Sequence, residues 1–233
     1  MNKKIIVDCR ISNKCVDFLT KNDYEIIKFP SINSLDNPIS SHPDMSAVKI
    51  NDTWIVYDDV KHLFDFCEKK IVVNRGVQKN RKIEYPFDIG LNCAVVGKNL
   101  ICNEKHTENV VLSLARENGI KIIDVKQGYA KCSISVVNEN SIITEDVGIA
   151  NKCAVYGIDV LLLKSRAVEL DGYDYGFIGG CSGILSDNRI VFSGCIENHP
   201  EYELISDFCH KHGKQAVSMS DEPLYDVGSI LEA

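Results

Sequence analysis

One pattern recurs five times along the 233-residue chain and restricts its fold more than any other feature. A pair of large apolar residues stands at Ile5-Ile6, Trp54-Ile55, Leu100-Ile101, Ile142-Ile143 and Ile190-Val191, so the first positions are 49, 46, 42 and 48 residues apart. A period of this size marks supersecondary units that cannot bury their apolar faces alone. Each pair except the first is preceded by another apolar segment and a tight turn: 44–50 with Asn51-Asp52, 92–96 with Gly97-Lys98, 131–137 with Asn138-Glu139, and 181–185 with Ser186-Asp187. Apolar runs joined by Asn, Asp and Gly are hairpin signals. Helical periodicities follow, clearest over 108–114 and 202–209, where Pro200 suits a first turn. A third strand closes each unit, at 24–29, 70–73, 120–125, 158–163 and 215–219. One local match supports the repeat: Ile11-Ser12-Asn13-Lys14-Cys15 and Ile149-Ala150-Asn151-Lys152-Cys153.

The first unit lacks its opening strand, while segment 225–231 is left over at the C-terminal end. If the last strand completes the first unit, five modules close into a ring with no exposed sheet edge. The expected fold is therefore α/β, a five-module α/β propeller closed by the C-terminal strand, with residues 1–233 as a single domain. An open α/β sheet of the same elements is the alternative.

Charge narrows the function classes. The chain has 26 Lys+Arg against 33 Asp+Glu, a formal charge of −7, which argues against a nucleic-acid or anionic-membrane partner. The one basic run, Arg75 to Lys82 with Lys79 and Arg81, contains no aromatic residue and reads as an exposed inter-module loop. No apolar run approaches the roughly 20 residues of a membrane-spanning helix. Met1-Asn2-Lys3-Lys4 leads into too short an apolar stretch for a signal peptide, so a cytoplasmic location is expected. The ten cysteines include no C-x-x-C pair, which removes the main support for zinc-ribbon and thioredoxin-like readings. They read as small buried hydrophobes of a reducing compartment. No cofactor is expected.

Five such modules around an axis resemble the pentein superfamily, which includes arginine and agmatine deiminases, dimethylarginine hydrolases, amidinotransferases and a ribosomal anti-association factor. The dimethylarginine hydrolases are the nearest in local sequence. Gln215-Ala216-Val217-Ser218-Met219-Ser220 followed by Tyr225-Asp226-Val227-Gly228 resembles a stretch near that family's C-terminus, and 178–185, Ile-Gly-Gly-Cys-Ser-Gly-Ile-Leu, resembles its Ala-Asn-Cys strand. The resemblance implies a thiolate that attacks a guanidinium carbon, a His that transfers protons, and carboxylates that hold the cation. Asp44, in Ser41-His42-Pro43-Asp44-Met45, is similar in placement to the acid that grips the guanidinium. Asp88 falls within one residue of the acid that orients the His. The family's catalytic His would fall at Tyr129 or an immediate neighbour, yet no His lies between His106 and His199. The nucleophile would fall at Leu231 or Glu232. Without thiol and imidazole there, the usual route is closed.

The expectation is a pentein scaffold that binds a small polar ligand, guanidino or amino-acid-like, in a central pocket lined by Asp44, Asp88, Asn92, Lys131 and Tyr129. One alternative is an amidinohydrolase or amidinotransferase with relocated groups, Cys181 attacking and His42 shuttling protons. Another is a ring-shaped protein-binding factor. Cys93, Cys132 and Cys181 open three inner strands and would make a soft metal site with His42 and Asp44 if they converged. A one-residue slip turns a side chain to the other face, and a packed core of small residues without metal is the expectation. Gly179-Gly180-Cys181-Ser182-Gly183 has the spacing of a nucleophile elbow, but a strand follows it where that motif needs a helix. His42-Pro43-Asp44 is either a turn whose Asp caps an amide or a ligand-binding segment. Cys195, His199, Cys209, His210 and His212 cluster around the last helix, but 209, 210 and 212 do not share one helical face, so the cluster reads as solvated surface.

Overall fold

The computed structural model describes residues 3–76 and 82–233, so Lys79 and Arg81 of the basic run lie outside the described residues. The chain opens with β1 (Lys3–Asp8), helix α1 (Asn13–Lys21) and β2 (Tyr24–Phe29), with β1 and β2 parallel. The second unit is the hairpin β3 (Ala47–Ile50) and β4 (Thr53–Tyr57) followed by β5 (Lys70–Val73). Its connection is a short 3-10 helix, Lys61–Phe64, in place of an α-helix. The third unit comprises β6 (Ala94–Val96), β7 (Asn99–Cys102), α2 (Asn109–Glu117) and β8 (Lys121–Asp124). The fourth comprises β9 (Ile134–Asn138), β10 (Ser141–Thr144), α3 (Val147–Val155) and β11 (Asp159–Leu162). The fifth comprises β12 (Ser182–Ile184), β13 (Arg189–Phe192), α4 (Tyr202–Lys211) and β14 (Gln215–Ser218). Finally β15 (Leu231–Glu232) pairs antiparallel with β1, Ile5 opposite Glu232 and Ile6 opposite Leu231. The last strand thus completes the first sheet.

Every sheet has three strands, with the strand that carries the apolar pair in the middle. Neighbouring residues of a strand point to opposite faces, so each pair feeds two different cores. Ile6 meets Trp54, Ile55 meets Leu100, Ile101 meets Ile142, Ile143 meets Ile190, and Val191 returns to Ile5. All ten residues are at most 3% exposed. Five cores between five sheets close the ring, and each fully buried aliphatic side chain contributes about 1.5–3 kcal/mol. The sheets remain separate, so no continuous barrel forms.

The matching pentapeptides prove to be offset by one helical turn. Ser12 caps α1 by accepting from Cys15 N, whereas Asp146 caps α3 by accepting from Ile149 N. Cys15 and Cys153 nevertheless both reach the buried face, because a shift of one turn preserves it.

The inner strands β3, β6, β9, β12 and β15 line an axial channel of about 280 Å³, to which Val48, Val95, Val136, Gly183 and Leu231 each contribute. Each inner strand begins later than its apolar run suggests. Pro43–Met45 forms a 3-10 turn ahead of β3, and Gly228 and Ser229 take φ of 63° and 72° ahead of β15, a left-handed geometry no strand accommodates. The residues freed from strand geometry are Asp44, Asn92, Lys131, Cys132, Cys181 and Asp226. Among the described residues no helix is long and apolar enough to cross a membrane.

Candidate functional site

The side chains just ahead of the inner strands meet in one buried polar network. Asp44 is its hub. Its Oδ2 accepts the Ser229 hydroxyl at 2.7 Å and the Cys132 thiol at 3.2 Å. Lys131 donates to Ser229 Oγ at 2.9 Å. Asn92 donates to Cys132 Sγ at 3.1 Å, while its Oδ1 accepts from Lys131 N at 2.8 Å. The structure thus brings Asp44, Asn92 and Lys131 together in one hydrogen-bonded network, which Cys132 and Ser229 join. Burial pushes the Cys132 thiol well above its usual range, and the Asp44 carboxylate adds to the effect. Burial lowers the Lys131 ammonium against the pull of Asp44.

Beside this network His42, 1% exposed, stands between two buried carboxylates. Its Nδ1 is 3.7 Å from Asp226 Oδ1 and its Nε2 is 3.9 Å from Asp8 Oδ2. Among the described residues neither ring nitrogen has a hydrogen-bond partner, and neither does Asp44 Oδ1. Such orphaned buried groups are costly. Asp8, by contrast, is well held: Arg10 donates to it from Nη2 at 2.6 Å and Nε at 3.0 Å, and Ser41 at 2.8 Å. Asp226 accepts the N–H groups of Gly228 and Phe177 at 3.0 and 2.9 Å. Burial still pushes its carboxyl up, with His42 pulling the other way. Two glycines make the room: a Cβ on Gly228 would lie 2.1 Å from His42 Cβ, and one on Gly180 would lie 2.0 Å from Asp226 Oδ1.

His42, Cys132 and Asp226 also form the base of a cavity of about 200 Å³ walled by Tyr129, Tyr175 and Phe177. Tyr129 donates to Asp88 Oδ2 at 2.9 Å. Asp88 is thus tied behind the pocket wall, separate from the Asp44 hub, and burial raises its carboxyl.

The three thiols, whose convergence the sequence left open, do not converge: Cys132 lies two residues ahead of its strand, Cys93 and Cys181 only one, and that difference in parity turns them to other faces. Cys93 meets Thr107 at 3.7 Å. Other expectations are corrected. Cys181 packs in the core between the fourth and fifth modules and donates to Ile178 O at 3.3 Å. Burial pushes its thiol well up, as it does that of Cys132; geometry separates the two, because Cys132 Sγ lies within 4.8 Å of the His42 ring and is the thiol beside it in place of Cys181. The His42-Pro43-Asp44 turn exists, but the Asp44 carboxylate accepts from the Ser229 and Cys132 side chains and not from a backbone amide of the turn. His199 and Cys209 are buried where a solvated surface was expected. Arg75 is no loose loop cation either: it lies 3.9 Å over the Tyr57 ring and pairs with Asp59 at 2.7 Å.

The profile of one protein family matches residues 6–231. The chain belongs to this family, described as a family of unknown function (DUF6873). No curated protein matches the DUF6873 chain by sequence. In three dimensions it is similar to dimethylarginine dimethylaminohydrolase from Pseudomonas aeruginosa in complex with citrulline, at 12% identity, TM-score 0.56 and coverage of 95% of this chain and 93% of that one. It is similar to inosamine-phosphate amidinotransferase from Streptomyces griseus at 10% identity, TM-score 0.59 and coverage of 99% and 93%. A substrate-bound agmatine deiminase from C. jejuni gives 11%, 0.55, and 99% and 93%. These are pentein proteins, and the DUF6873 chain has the pentein fold.

Proposed function

We propose that this protein holds a small cationic molecule of guanidino or amino-acid type in the aromatic pocket, its positive end against Asp226. The carrying observation is the charge beneath the pocket. Asp8, Asp44 and Asp226 are each 1% exposed; Arg10 is bonded to Asp8, and Lys131, held by Ser229, is drawn most to Asp44. An entering cation gives Asp226 an ionic partner while the faces of Tyr129 and Tyr175 favour positive charge. A fold neighbour bound to citrulline and another bound to its substrate support this ligand class. Residues 1–233 act as one domain in this reading, because the fifth core joins first and last modules. Ten free thiols support a cytoplasmic setting, and the −7 charge supports a small-molecule partner over nucleic acid or membrane.

Titration calorimetry against guanidino compounds and amino acids tests this. Saturable binding is expected, weakened about tenfold or more in Asp226→Asn through loss of a charge-assisted contact. No binding across the series, or equal affinity in the variant, overturns the proposal. A catalytic reading is favoured by one observation, that Cys132 lines the pocket beside His42. Attack by Cys132 on a guanidinium carbon, with His42 protonating the amine that leaves, would give a covalent thiouronium adduct, which water then hydrolyses to a citrulline-type product as the thiol is regenerated. Product release abolished by Cys132→Ser supports this reading, and no release refutes it.

A further inference from the structure

We propose that His42, Asp44 and Cys132 form a binding site for a divalent transition-metal ion with the preferences of zinc. The ligand atoms of the three residues lie within 4.8 Å of one another, and all three side chains are buried. Imidazole, carboxylate and thiolate are the donor types that zinc takes. The second observation is the set of unpartnered atoms. Among the described residues both His42 nitrogens and Asp44 Oδ1 lack a hydrogen-bond partner. Ser229 and Cys132 both address the other oxygen of Asp44, Oδ2, so Oδ1 is left with a lone pair and nothing to accept.

Tetrahedral zinc ligands at about 2.0–2.3 Å from the ion stand roughly 3.3–3.8 Å apart. The trio therefore closes by at most about 1.5 Å on loading. The Cys132 S–H proton leaves to solvent through the pocket as the sulfur–metal bond forms, and the two anionic ligands then balance the dication. The surroundings suit this use. Whichever His42 nitrogen binds, the other faces a carboxylate, Asp226 or Asp8, and Asn92 donates to the Cys132 sulfur; outer partners of this kind orient and tune ligands. Gly228 provides the space that lets the His42 ring sit there. Three protein ligands leave a fourth position, and His42 and Cys132 both line the 200 Å³ cavity, so that position faces the pocket. This is the arrangement of metal sites that bind exchangeable ligands. Because the loaded trio is neutral, Asp226 remains for a cationic ligand above it.

Cobalt(II) titration of the chelator-treated protein tests the site. A thiolate-to-cobalt charge-transfer band that saturates at one equivalent is expected. It should vanish in Cys132→Ser, and Asp44→Asn should weaken zinc binding by more than the roughly 10–100-fold that loss of an outer partner costs. Cys181→Ala should leave both unchanged. No band in the parent protein, a band that survives Cys132→Ser, or one that Cys181→Ala removes overturns the assignment. Circular dichroism of each variant separates loss of metal from loss of fold. Guanidino binding is measured separately in metal-free protein, so failure of one reading leaves the other standing.

Discussion

The five inter-module cores and the polar belt at the head of the inner strands come from the same repeat under opposite rules. The cores copy one solution five times, an apolar pair on a central strand that serves two neighbours. The belt copies nothing. Two residues ahead of the inner strands stand Met45, Asn92, Cys132, Gly180 and Ser229, five unlike side chains at equivalent places. Repetition suits a scaffold because every interface has the same volume to fill. A site needs the reverse, since a donor, an acceptor and a void must face one another across the axis. Substitutions should therefore divide by region, with stability changing in the cores and chemistry in the belt.

The largest effect is expected in a core. Phe192 is fully buried between the fourth and fifth modules, and Phe192→Ala should cost about 3–5 kcal/mol in urea unfolding. A loss under about 1 kcal/mol would mean that this core is not close-packed.

At the boundary between the regions, Glu145 follows directly on β10. Its Oε2 accepts Ile178 N–H at 3.2 Å and its Oε1 has no partner. Burial pushes the carboxyl up to about 7 from an ordinary 4.5. The folded state keeps a proton that the unfolded chain gives up. Stability is thus fully present below the unfolded value, falls as pH rises towards 7, and stays low above it, a loss of about 3 kcal/mol. Glu145→Gln should remove most of this slope and stabilise the protein by up to about 3 kcal/mol near pH 8. Asp88 and Asp226, also raised, leave a residual slope of the same sign. An unchanged pH profile in the variant would clear Glu145 of the effect.

Gly180→Ala should act inside the belt. Its methyl would press on an Asp226 carboxylate already fixed by two backbone N–H groups. The expected cost is about 1–3 kcal/mol, with pocket ligand binding lost together with the Asp226 position. Full retention of both would show that Asp226 has room to move.

The division also explains what the sequence could disclose. Period, hairpins and third strands were legible because each depends on local alternation and turn residues, and the closing strand followed from the count of segments. The 3-10 connection at 61–64 was not, since an apolar Leu63-Phe64 pair fits either helix. Asp44, Asn92 and Lys131 were found because all three open predicted strands. The positions of Cys132 and Cys181 were not legible because strand starts decide parity, and β9 starts two residues after Cys132 but β12 only one after Cys181. Asp8 and Arg10 carried no signal at all, for His42 and Ser41, which face Asp8, stand more than thirty residues away and come near only through the tertiary fold.

The smallest effect sharpens the comparison most, because it uses one residue type in both regions. Cys132 donates to Asp44 Oδ2 and accepts from Asn92, two roles that a hydroxyl also fills. Cys132→Ser should therefore change metal-free stability by less than about 1 kcal/mol. Cys181 sits among Ile143, Ile178 and Phe192 with one long contact to Ile178 O. The same exchange there places a hydroxyl in apolar surroundings and should cost about 1–3 kcal/mol. The pair is read from two urea titrations under one set of conditions. Equal penalties would mean that the belt around Cys132 is as intolerant as a core, and that its unlike residues serve packing before chemistry.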